Sequence, residues 1–304
     1  GIRDIGVTGV QTCALPISGA TNAVNAYLAN CEFEVDILAS GPAVELLKEV
    51  NFKYSISSQE DFFKNDFDVI LLGQNFKSSI DKEVIEHFRN SETLLISILD
   101  HWTFSRSKYF LNGKLLLPDI FAVFDLDALA RAEKEFPERP KVVLPNYYLQ
   151  ECKRRFQRLD IARKQLGSIL YISESLDADS NSTFANFYKP DINGELDFHA
   201  YMYFVNNISF FKIEEPKIII RPHPSESRDK FDCRYFPDSI NVEISEERDL
   251  VKDLQRADVV VGMQSMALKI AVELGCKVFC CLPPNSGEHP IPGLGIRYLR
   301  NEIQ

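Results

Sequence analysis

The chain has 304 residues and a formal net charge of -10 at pH 7, with 45% hydrophobic and 26% charged residues. This composition is typical of a globular protein, and the length allows two hydrophobic cores. The acidic balance excludes a broad electrostatic attraction to nucleic acid or anionic lipid, and no run of about 18 apolar residues is present to span a bilayer. We therefore expect a cytoplasmic protein, and peripheral association with the inner face of the membrane is compatible with the sequence.

Residues 1–18 form an unusual segment. The stretch VTGVQTCALPI, from Val7 to Ile17, is what translation of a sequencing-library adapter gives, and GIRD at the start matches the preceding adapter segment. We interpret residues 1–18 as foreign and exclude them from fold reasoning. Because a doubly wound domain starts with a buried strand, its first strand is expected to be missing or replaced, and residues 1–18 to be poorly packed or an imperfect substitute for it. The genuine chain is expected to begin near Gly19.

Short β-branched or aromatic runs recur along the first half, each separated by enough chain for a helix. This alternation predicts a parallel, doubly wound sheet. Helices are predicted at residues 22–30, 80–89 and 125–136. The predicted strands are EVDILAS near Val35, DVILLG near Val69, LLISIL near Leu95, IFAVF near Ala122 and KVVLP near Val143.

The second half repeats this organisation. Helices are predicted at residues 195–211, 246–255 and 265–274, and a charged, helix-prone stretch at 149–167 is interpreted as a solvated connector. The sequence therefore predicts two Rossmann-like α/β domains, residues 19–148 and 168–304, which face each other across a cleft. The predicted strands of the second half are SILYIS from Ser168, PKIIIR from Pro216, INVEI from Ile240, DVVVG from Asp258 and KVFCCL from Lys277.

Polar side chains follow most of these strands. Since ligands of open parallel sheets bind outside the carboxyl ends of the strands, these turns are the candidate sites. Asp100 and His101 follow a strand of the first half. The turns of the second half contribute the predicted donor-binding residues Ser173, Arg221, His223, Gly262, Gln264 and Ser265.

The most distinctive turn is RPHP, in which two prolines restrict the backbone around His223. An imidazole held beside the guanidinium of Arg221 is suited to binding an anionic oxygen or to moving a proton near neutral pH. The alternative is that His223 only closes the strand end through a backbone hydrogen bond. The proline frame favours the functional interpretation.

A second motif is GMQSMALKIAVELG, from Gly262 to Gly275. Ser265 is predicted at the start of a helix, where its hydroxyl and the free backbone N–H groups could hold a phosphate. Glu273 follows just over two helical turns later on a similar face. The alternatives are a helix cap for Ser265 and a solvated surface charge for Glu273.

Together these two motifs resemble the donor-binding half of GT-B glycosyltransferases. The nearest resemblance is to a bacterial surface-polysaccharide group, which includes CDP-glycerol glycerophosphotransferase-like enzymes and sialyltransferases with a His-Pro motif. The resemblance implies that His223 and Ser265 contact the donor phosphate and that Glu273 meets the nucleotide ribose. The first half has no clear acidic Asp-Gly motif to supply the sialyltransferase base, so CMP-sialic acid is disfavoured as donor.

A base that activates the acceptor is expected from the first half. Asp100 and His101 follow a predicted buried strand and precede Trp102, the only tryptophan. Either side chain could accept a proton from an acceptor hydroxyl. The alternative is a structural turn in which Trp102 packs and His101 bonds to backbone, and both interpretations are kept open.

The predicted function is a GT-B-like transferase that moves a sugar, or a polyol phosphate, from a nucleotide-sugar or CDP-polyol donor to a glycan or lipid-linked acceptor of polysaccharide biosynthesis. Catalysis would be mainly electrostatic, with Arg221, His223 and the Ser265 helix terminus stabilising the departing phosphate. The alternatives are a nucleotide-sugar epimerase of the same fold and a non-catalytic nucleotide- or glycan-binding protein. Neither the cysteines nor the carboxylates form a metal-ligand pattern, so no metal and no cofactor is expected.

Overall fold

A computed structural model describes residues 9–12, 19–30, 35–39, 44, 54, 56–73, 79–102, 104–158, 167–174, 196–223, 226, 228, 231, 235–284, 286 and 295–303. The chain divides into two compact units, which we call unit 1, Gly1–Tyr148, and unit 2, Leu149–Gln304.

Unit 1 contains a six-stranded parallel sheet and a short antiparallel hairpin. The sheet order is β2-β1-β3-β4-β7-β8. A further parallel bridge joins Ile56 to Ile37 of β2. The hairpin turns at Asn112 and Gly113, both of which have positive φ. The strands are β1 (Gly9–Thr12), β2 (Asp36–Ala39), β3 (Val69–Gly73), β4 (Leu94–Ile98), β5 (Phe110–Leu111), β6 (Lys114–Leu115), β7 (Ile120–Val123) and β8 (Lys141–Val143).

Among the described residues of unit 1, four α-helices and one 3₁₀ helix lie between these strands. Two of the α-helices begin at a capping side chain, because Ser58 accepts a hydrogen bond from the N–H of Asp61 and Asp125 accepts one from the N–H of Ala128. The helices are α1 (Gly19–Leu28), α2 (Gln59–Phe62), α3 (Ile80–Phe88), α4 (Leu126–Glu135) and the 3₁₀ helix Arg106–Tyr109.

The first strand of unit 1 comes from the segment that the sequence analysis interprets as foreign. Gly9–Thr12 pairs in parallel with β2 on one side and with β3 on the other. These residues therefore stand in the place of the first strand, which agrees with the expectation that this strand is missing or replaced, while the packing of their side chains lies outside what the structure describes. The foreign origin of residues 1–18 stays a prediction. Helix α1 begins at Gly19, three residues earlier than the helix predicted from the sequence.

Unit 2 contains a second six-stranded parallel sheet, in the order β11-β10-β9-β12-β13-β14. Its first strand in the chain lies in the middle, and the order reverses direction between β9 and β12. This is the 3-2-1-4-5-6 order of doubly wound nucleotide-binding sheets. The strands are β9 (Ser168–Ile172), β10 (Lys217–Arg221), β11 (Asn241–Ile244), β12 (Val259–Gly262), β13 (Lys277–Cys280) and β14 (Arg297–Tyr298).

Helix α5 begins at the end of unit 1 and continues into unit 2. It covers the first part of the predicted connector, whose residues 159–166 lie outside the described ranges. Cys152 of α5 is buried, and the side-chain amide of Gln255 donates to the carbonyl of Phe156 at 2.8 Å. This helix therefore packs on unit 2 instead of being solvated all round. The helices are α5 (Tyr147–Arg158), α6 (Leu196–Asn206), α7 (Leu250–Arg256), α8 (Met266–Glu273), α9 (Leu299–Glu302) and the 3₁₀ helix Ile208–Phe211.

The central strands of both sheets are buried on both faces. All five residues of β3 and of β9 are buried, which explains why these strands read as unbroken apolar runs. In unit 2 the ring of Tyr171 lies 5.2 Å from that of Tyr201 and 5.1 Å from that of Phe204, centroid to centroid. Fully burying a phenylalanine side chain such as that of Phe204 stabilises the fold by about 1.5–3 kcal/mol.

Gly262 ends β12 where the chain passes close to β9 and α8. A Cβ atom at this position would lie 3.0 Å from the carbonyl oxygen of Ile172 and 3.1 Å from Cδ2 of Leu268. The carbonyl belongs to the strand that pairs with β12, so it has little room to move. The absent side chain lets the ends of β9 and β12 approach each other.

The predicted α/β class with two doubly wound parallel sheets is confirmed. The ten strands predicted from apolar runs all occur, whereas the sequence missed β1, the β5-β6 hairpin and the two-residue edge strand β14. No helix within the described ranges is both long enough and apolar enough to cross a membrane.

Candidate functional site

The reversal of strand order in unit 2 brings together the segments that follow β9 and β12. The carboxylate oxygen Oε1 of Glu174 accepts hydrogen bonds from the backbone N–H groups of Gln264, at 2.5 Å, and Ser265, at 2.6 Å. The backbone N–H of Met263 also acts on this carboxylate, since it lowers the pKa of Glu174. Glu174, which follows β9, thus binds backbone N–H groups of the segment between β12 and α8.

Glu174 is buried, and burial is the main reason why its pKa rises from 4.5 to about 7. The three backbone N–H groups act in the opposite direction because they stabilise the charged form. The carboxylate of Glu226 raises the pKa further. The site therefore holds a carboxyl group that changes charge near neutral pH.

A second glutamate joins the ends of β9 and β10. Glu226 accepts a hydrogen bond from the hydroxyl of Ser173 at 2.9 Å and one from the backbone N–H of His223 at 2.7 Å. The N–H of Glu226 in turn donates to the carbonyl of His223 at 2.9 Å, which closes a tight turn. The structure therefore brings Ser173 and His223 to one network, organised by a residue that the sequence analysis did not select.

The start of α8 also contains polar side-chain atoms that lack a hydrogen-bond partner among the described residues. They are the buried hydroxyl oxygen of Ser265 and both amide atoms of Gln264, a residue that is 1% exposed. Ser265 is the N-cap residue by position, yet its side chain makes no capping hydrogen bond. Because buried polar groups are normally paired, these atoms are available to a ligand.

Arg221 lies near this network but is directed elsewhere. Its guanidinium donates to the carboxylate of Asp253 at 2.5 Å and to the carbonyls of Glu247 at 2.6 Å and Arg248 at 2.7 Å. Asp253 is fully buried, and it also accepts from Ser245 at 2.8 Å. The arginine thus holds the start of α7 against β10, and its assignment to a donor phosphate stays a prediction.

Glu273 is separated from Ser265 by the whole length of α8. With a rise of 1.5 Å per residue, the eight positions between them span about 12 Å. The carboxylate of Glu273 forms an ion pair with Lys153 of α5 at 2.7 Å. The structure does not bring Glu273 into the network around Glu174, and its predicted contact with ribose stays a prediction.

In unit 1, Asp100 and His101 follow β4, as the sequence predicts. Trp102 is buried, and its indole N–H donates to Asp125, the N-cap residue of α4, at 3.1 Å. The rings of His101 and Trp102 meet edge to face at 5.7 Å. The alternative in which Trp102 packs as part of a structural turn is therefore correct for the tryptophan, while Asp100 and His101 are half-buried beside it.

The sequence analysis missed a charged neighbour of Asp100. Lys108 lies in the 3₁₀ helix Arg106–Tyr109, which is fixed to β4 by a 2.9 Å hydrogen bond between Tyr109 and Ser97. Burial lowers the pKa of Lys108 to about 8, although the charges of Asp100 and Asp81 act in the opposite direction.

Asp81 lies in the first turn of α3, after β3. Burial raises its pKa from 3.8 to about 6, against the opposing effect of Lys82, whose ammonium lies 3.5 Å from its carboxylate. We call Asp81, Lys82, Asp100 and Lys108 the unit 1 charge cluster. A run of apolar strand residues gives no signal for it, because its members come from three separate turns.

Metal-ligand clusters are not found in the part of the chain that the structure describes: no three His, Cys, Asp or Glu side chains gather in a suitable way. Cys280 and Cys281 are buried near Glu174. Burial raises the pKa of Cys280 to about 12 and that of Cys281 well above its ordinary value, so both thiols are neutral.

Comparison with known proteins gives a clear result for the fold. No protein-family model matches the chain, and no curated protein matches its sequence. Among solved structures, the glycotransferase of kitacinnamycin superposes with a TM-score of 0.55 at 13% identity, over 97% of this chain and 86% of that one. Anabaena Alr3699/HepE in complex with UDP and glucose gives 0.54 at 10% identity, over 90% and 80%.

A third neighbour is the UDP-GlcNAc 2-epimerase of Neisseria meningitidis bound to UDP-GlcNAc. It gives a TM-score of 0.53 at 11% identity, over 90% of this chain and 81% of that one. The chain has the GT-B fold. At these identities the similarity establishes the architecture, and the function has to be argued from the site.

Proposed function

We propose that the chain binds a nucleotide-activated sugar through unit 2 and transfers the sugar, or a polyol phosphate, to a glycan or lipid-linked precursor of a surface polysaccharide. The observation that supports this proposal is the start of α8, at the point where the strand order reverses. Backbone N–H groups, the unpartnered hydroxyl of Ser265 and the unpartnered amide of Gln264 meet there. Such donors bind phosphate groups.

The proposed role of this site is to stabilise the charge that develops on the departing phosphate. The hydroxyl of Ser265 and the helix terminus donate hydrogen bonds to phosphate oxygens, and the imidazole of His223 adds a donor from the end of β10. These groups are fixed before the reaction, so little reorganisation is needed when charge develops. Neighbours of the same fold contain UDP with glucose, or UDP-GlcNAc, which is consistent with a nucleotide-sugar donor.

We assign activation of the acceptor to unit 1. Asp100 is proposed to accept the proton of the attacking hydroxyl, with His101 as the alternative base. Lys108 lies close enough to Asp100 for their charges to interact. A positive neighbour favours the ionised form of a carboxyl group, which is the form that accepts a proton.

Epimerisation of a nucleotide sugar is the second candidate, because one of the structural neighbours is a UDP-GlcNAc 2-epimerase. The two activities differ in their need for an acceptor. Turnover of the donor to an isomeric nucleotide sugar without any acceptor would favour the epimerase, whereas release of free nucleotide only with an acceptor would favour the transferase.

The proposal is tested by a thermal-shift screen of CMP, CDP, UDP, GDP and their sugar or glycerol conjugates. A ligand that binds only the folded state raises the melting temperature. We expect one base to be preferred, and the shift to weaken in Ser265→Ala and His223→Ala but not in His101→Ala. If no compound shifts the wild-type protein, donor binding is contradicted.

A further inference from the structure

The backbone N–H groups at the start of α8 bind a carboxylate of the chain itself. A carboxylate oxygen of Glu174 lies 2.5 Å and 2.6 Å from the backbone nitrogens of Gln264 and Ser265, which is the geometry of a bound phosphate oxygen. Two negative groups cannot share these donors without strong repulsion. A donor diphosphate that binds here has to contend with Glu174.

We propose that the carboxylate of Glu174 occupies the N–H groups that the donor diphosphate would bind, and that a nucleotide sugar binds at the start of α8 together with one proton. Glu174 takes up this proton from solvent. This inference rests on the proposed function, since it concerns the same site. Glu174 would be a positioning residue that sets the charge of the ligand accepted there.

The neutral carboxyl group fits the liganded site better than the charged one. Protonation removes one negative charge and adds an O–H donor, whereas an ionised carboxylate can only accept hydrogen bonds. The neutral group can donate a hydrogen bond to a phosphate oxygen. It can also release the backbone N–H groups of Gln264 and Ser265, which then bind the ligand. The O–H bond on Glu174 forms as a hydronium ion or a buffer acid gives up its proton, and no other covalent bond changes in this step.

The surroundings of Glu174 favour proton uptake. Glu226, from the turn after β10, adds a second negative charge, and burial already raises the pKa of Glu174 to about 7. Tyr171 from β9 and the thiols Cys280 and Cys281 at the end of β13 also lie close enough to interact. Burial raises the pKa of each of these three groups, so they stay neutral around pH 7.

His223 is the other titratable residue of this network, through its backbone contact with Glu226. A protonated imidazole would also bind a phosphate more tightly at low pH. A pH dependence alone therefore does not distinguish His223 from Glu174, and the experiment needs a variant of each.

The test is isothermal titration calorimetry with UDP-glucose between about pH 6 and about pH 9, a range in which its diphosphate does not titrate. In the wild-type protein and in His223→Gln we expect the dissociation constant to rise about tenfold per pH unit above about pH 7. In Glu174→Gln, which mimics the neutral carboxyl group, we expect this rise to disappear. Glu226→Gln should move the onset of the rise to lower pH, because one negative neighbour is removed.

The number of protons taken up is measured in two buffers of different ionisation enthalpy. About one proton per bound UDP-glucose above pH 7 in both wild type and His223→Gln supports the inference, and this result does not depend on the folding of Glu174→Gln. Binding without proton uptake, or an unchanged pH dependence in Glu174→Gln, would overturn it while the donor site stands. Absence of binding at every pH, with the other nucleotide sugars of the thermal-shift screen also inactive, would instead contradict the proposed function.

Discussion

Unit 1 and unit 2 both place ionisable side chains after the strands of a parallel sheet, but the carboxylates of the two units are stabilised by different groups. In unit 1, Asp81 and Asp100 lie near the ammonium groups of Lys82 and Lys108. In unit 2, Glu174 lies on backbone N–H groups at the start of α8. Side-chain partners neutralise each other, whereas backbone N–H groups are uncharged donors that a ligand can take over.

The difference indicates how one architecture can supply two kinds of site. A cluster of acids and bases is suited to moving protons, since its members shift the pKa of one another. A helix terminus is suited to binding an anion, because its donors are fixed in position. The same sheet topology therefore does not determine the chemistry, and the turns after the strands do.

The largest effect is expected from Arg221→Met. This variant distinguishes a structural role of the arginine from a role in donor binding. In Arg221→Met the carboxylate of Asp253 stays fully buried without its strongest partner. Breaking a buried ion pair in this way costs about 3–5 kcal/mol of unfolding free energy. Chemical denaturation measures this loss, and Arg228→Met, whose exposed pair with Glu246 is at 3.2 Å, is the matched control. A stable Arg221→Met protein with weak donor binding would favour the role in donor binding.

The unit 1 charge cluster predicts a pH dependence of stability. The pKa of Asp81 is about 6 in the folded chain and 3.8 in the unfolded chain, so the folded state holds more protons between these values. Stability is therefore lost as the pH rises from about 4 to about 6, by up to about 3 kcal/mol relative to Asp81→Asn. Urea denaturation of the wild type and of Asp81→Asn across this pH range measures the difference in unfolding free energy. The contribution of Glu174 is the same in both proteins and therefore cancels. Parallel curves would show that the pKa of Asp81 is the same in the folded and the unfolded protein, which contradicts this prediction.

Asp100→Asn tests the proposal that unit 1 activates the acceptor while unit 2 binds the donor. If Asp100 is the base, turnover should fall about a hundredfold, equivalent to about 2.7 kcal/mol, because the amide cannot accept the proton. Donor affinity should stay within twofold, since donor binding is assigned to unit 2. Calorimetry and turnover are measured on the same preparation. An equal loss of donor affinity would place Asp100 at the donor instead.

The smallest effect is expected from Glu273→Gln. Its ion pair with Lys153 is partly exposed, and such pairs stabilise a fold by at most about 1 kcal/mol. The distance of about 12 Å from Ser265 along α8 predicts donor affinity within twofold of wild type. Lys153→Met should match it in stability, because both variants break the same pair. A tenfold loss of donor affinity in Glu273→Gln alone would establish the predicted contact with ribose.

The alternation of apolar runs and helix-prone segments was enough to predict the sheets, because strands buried on both faces show it directly. Ser173, His223, Gln264 and Ser265 were located for a related reason, since the carboxyl ends of parallel strands meet at one edge. Glu174 is adjacent to Ser173 in the chain, but a lone glutamate after a strand usually lies in solvent. Only its hydrogen bonds with the backbone N–H groups of Gln264 and Ser265 show that it reaches the next turn.

Other features depend on tertiary contacts that no spacing shows. Arg221 looked free to bind an anion because its partners, Asp253 and two carbonyls, come from α7 and the segment before it. Lys108 reaches Asp100 only because Tyr109 fastens its 3₁₀ helix to Ser97. Glu273 is expected on a face similar to that of Ser265, but α8 separates the two residues by about 12 Å along its axis.

The most direct test of the central claim, that the start of α8 binds the donor diphosphate, is a measurement of backbone amide chemical shifts. The protein is labelled with ¹⁵N at glutamine and serine only, and spectra are recorded as UDP-glucose, or the preferred nucleotide sugar, is added. We predict that the amide chemical shifts of Gln264 and Ser265 change the most. Either their hydrogen-bond acceptor changes from Glu174 to a phosphate oxygen, or Glu174 stays the acceptor and loses its charge. Saturable binding that leaves these two amides unmoved, while Ser97 or Ser105 of unit 1 respond, would contradict the claim.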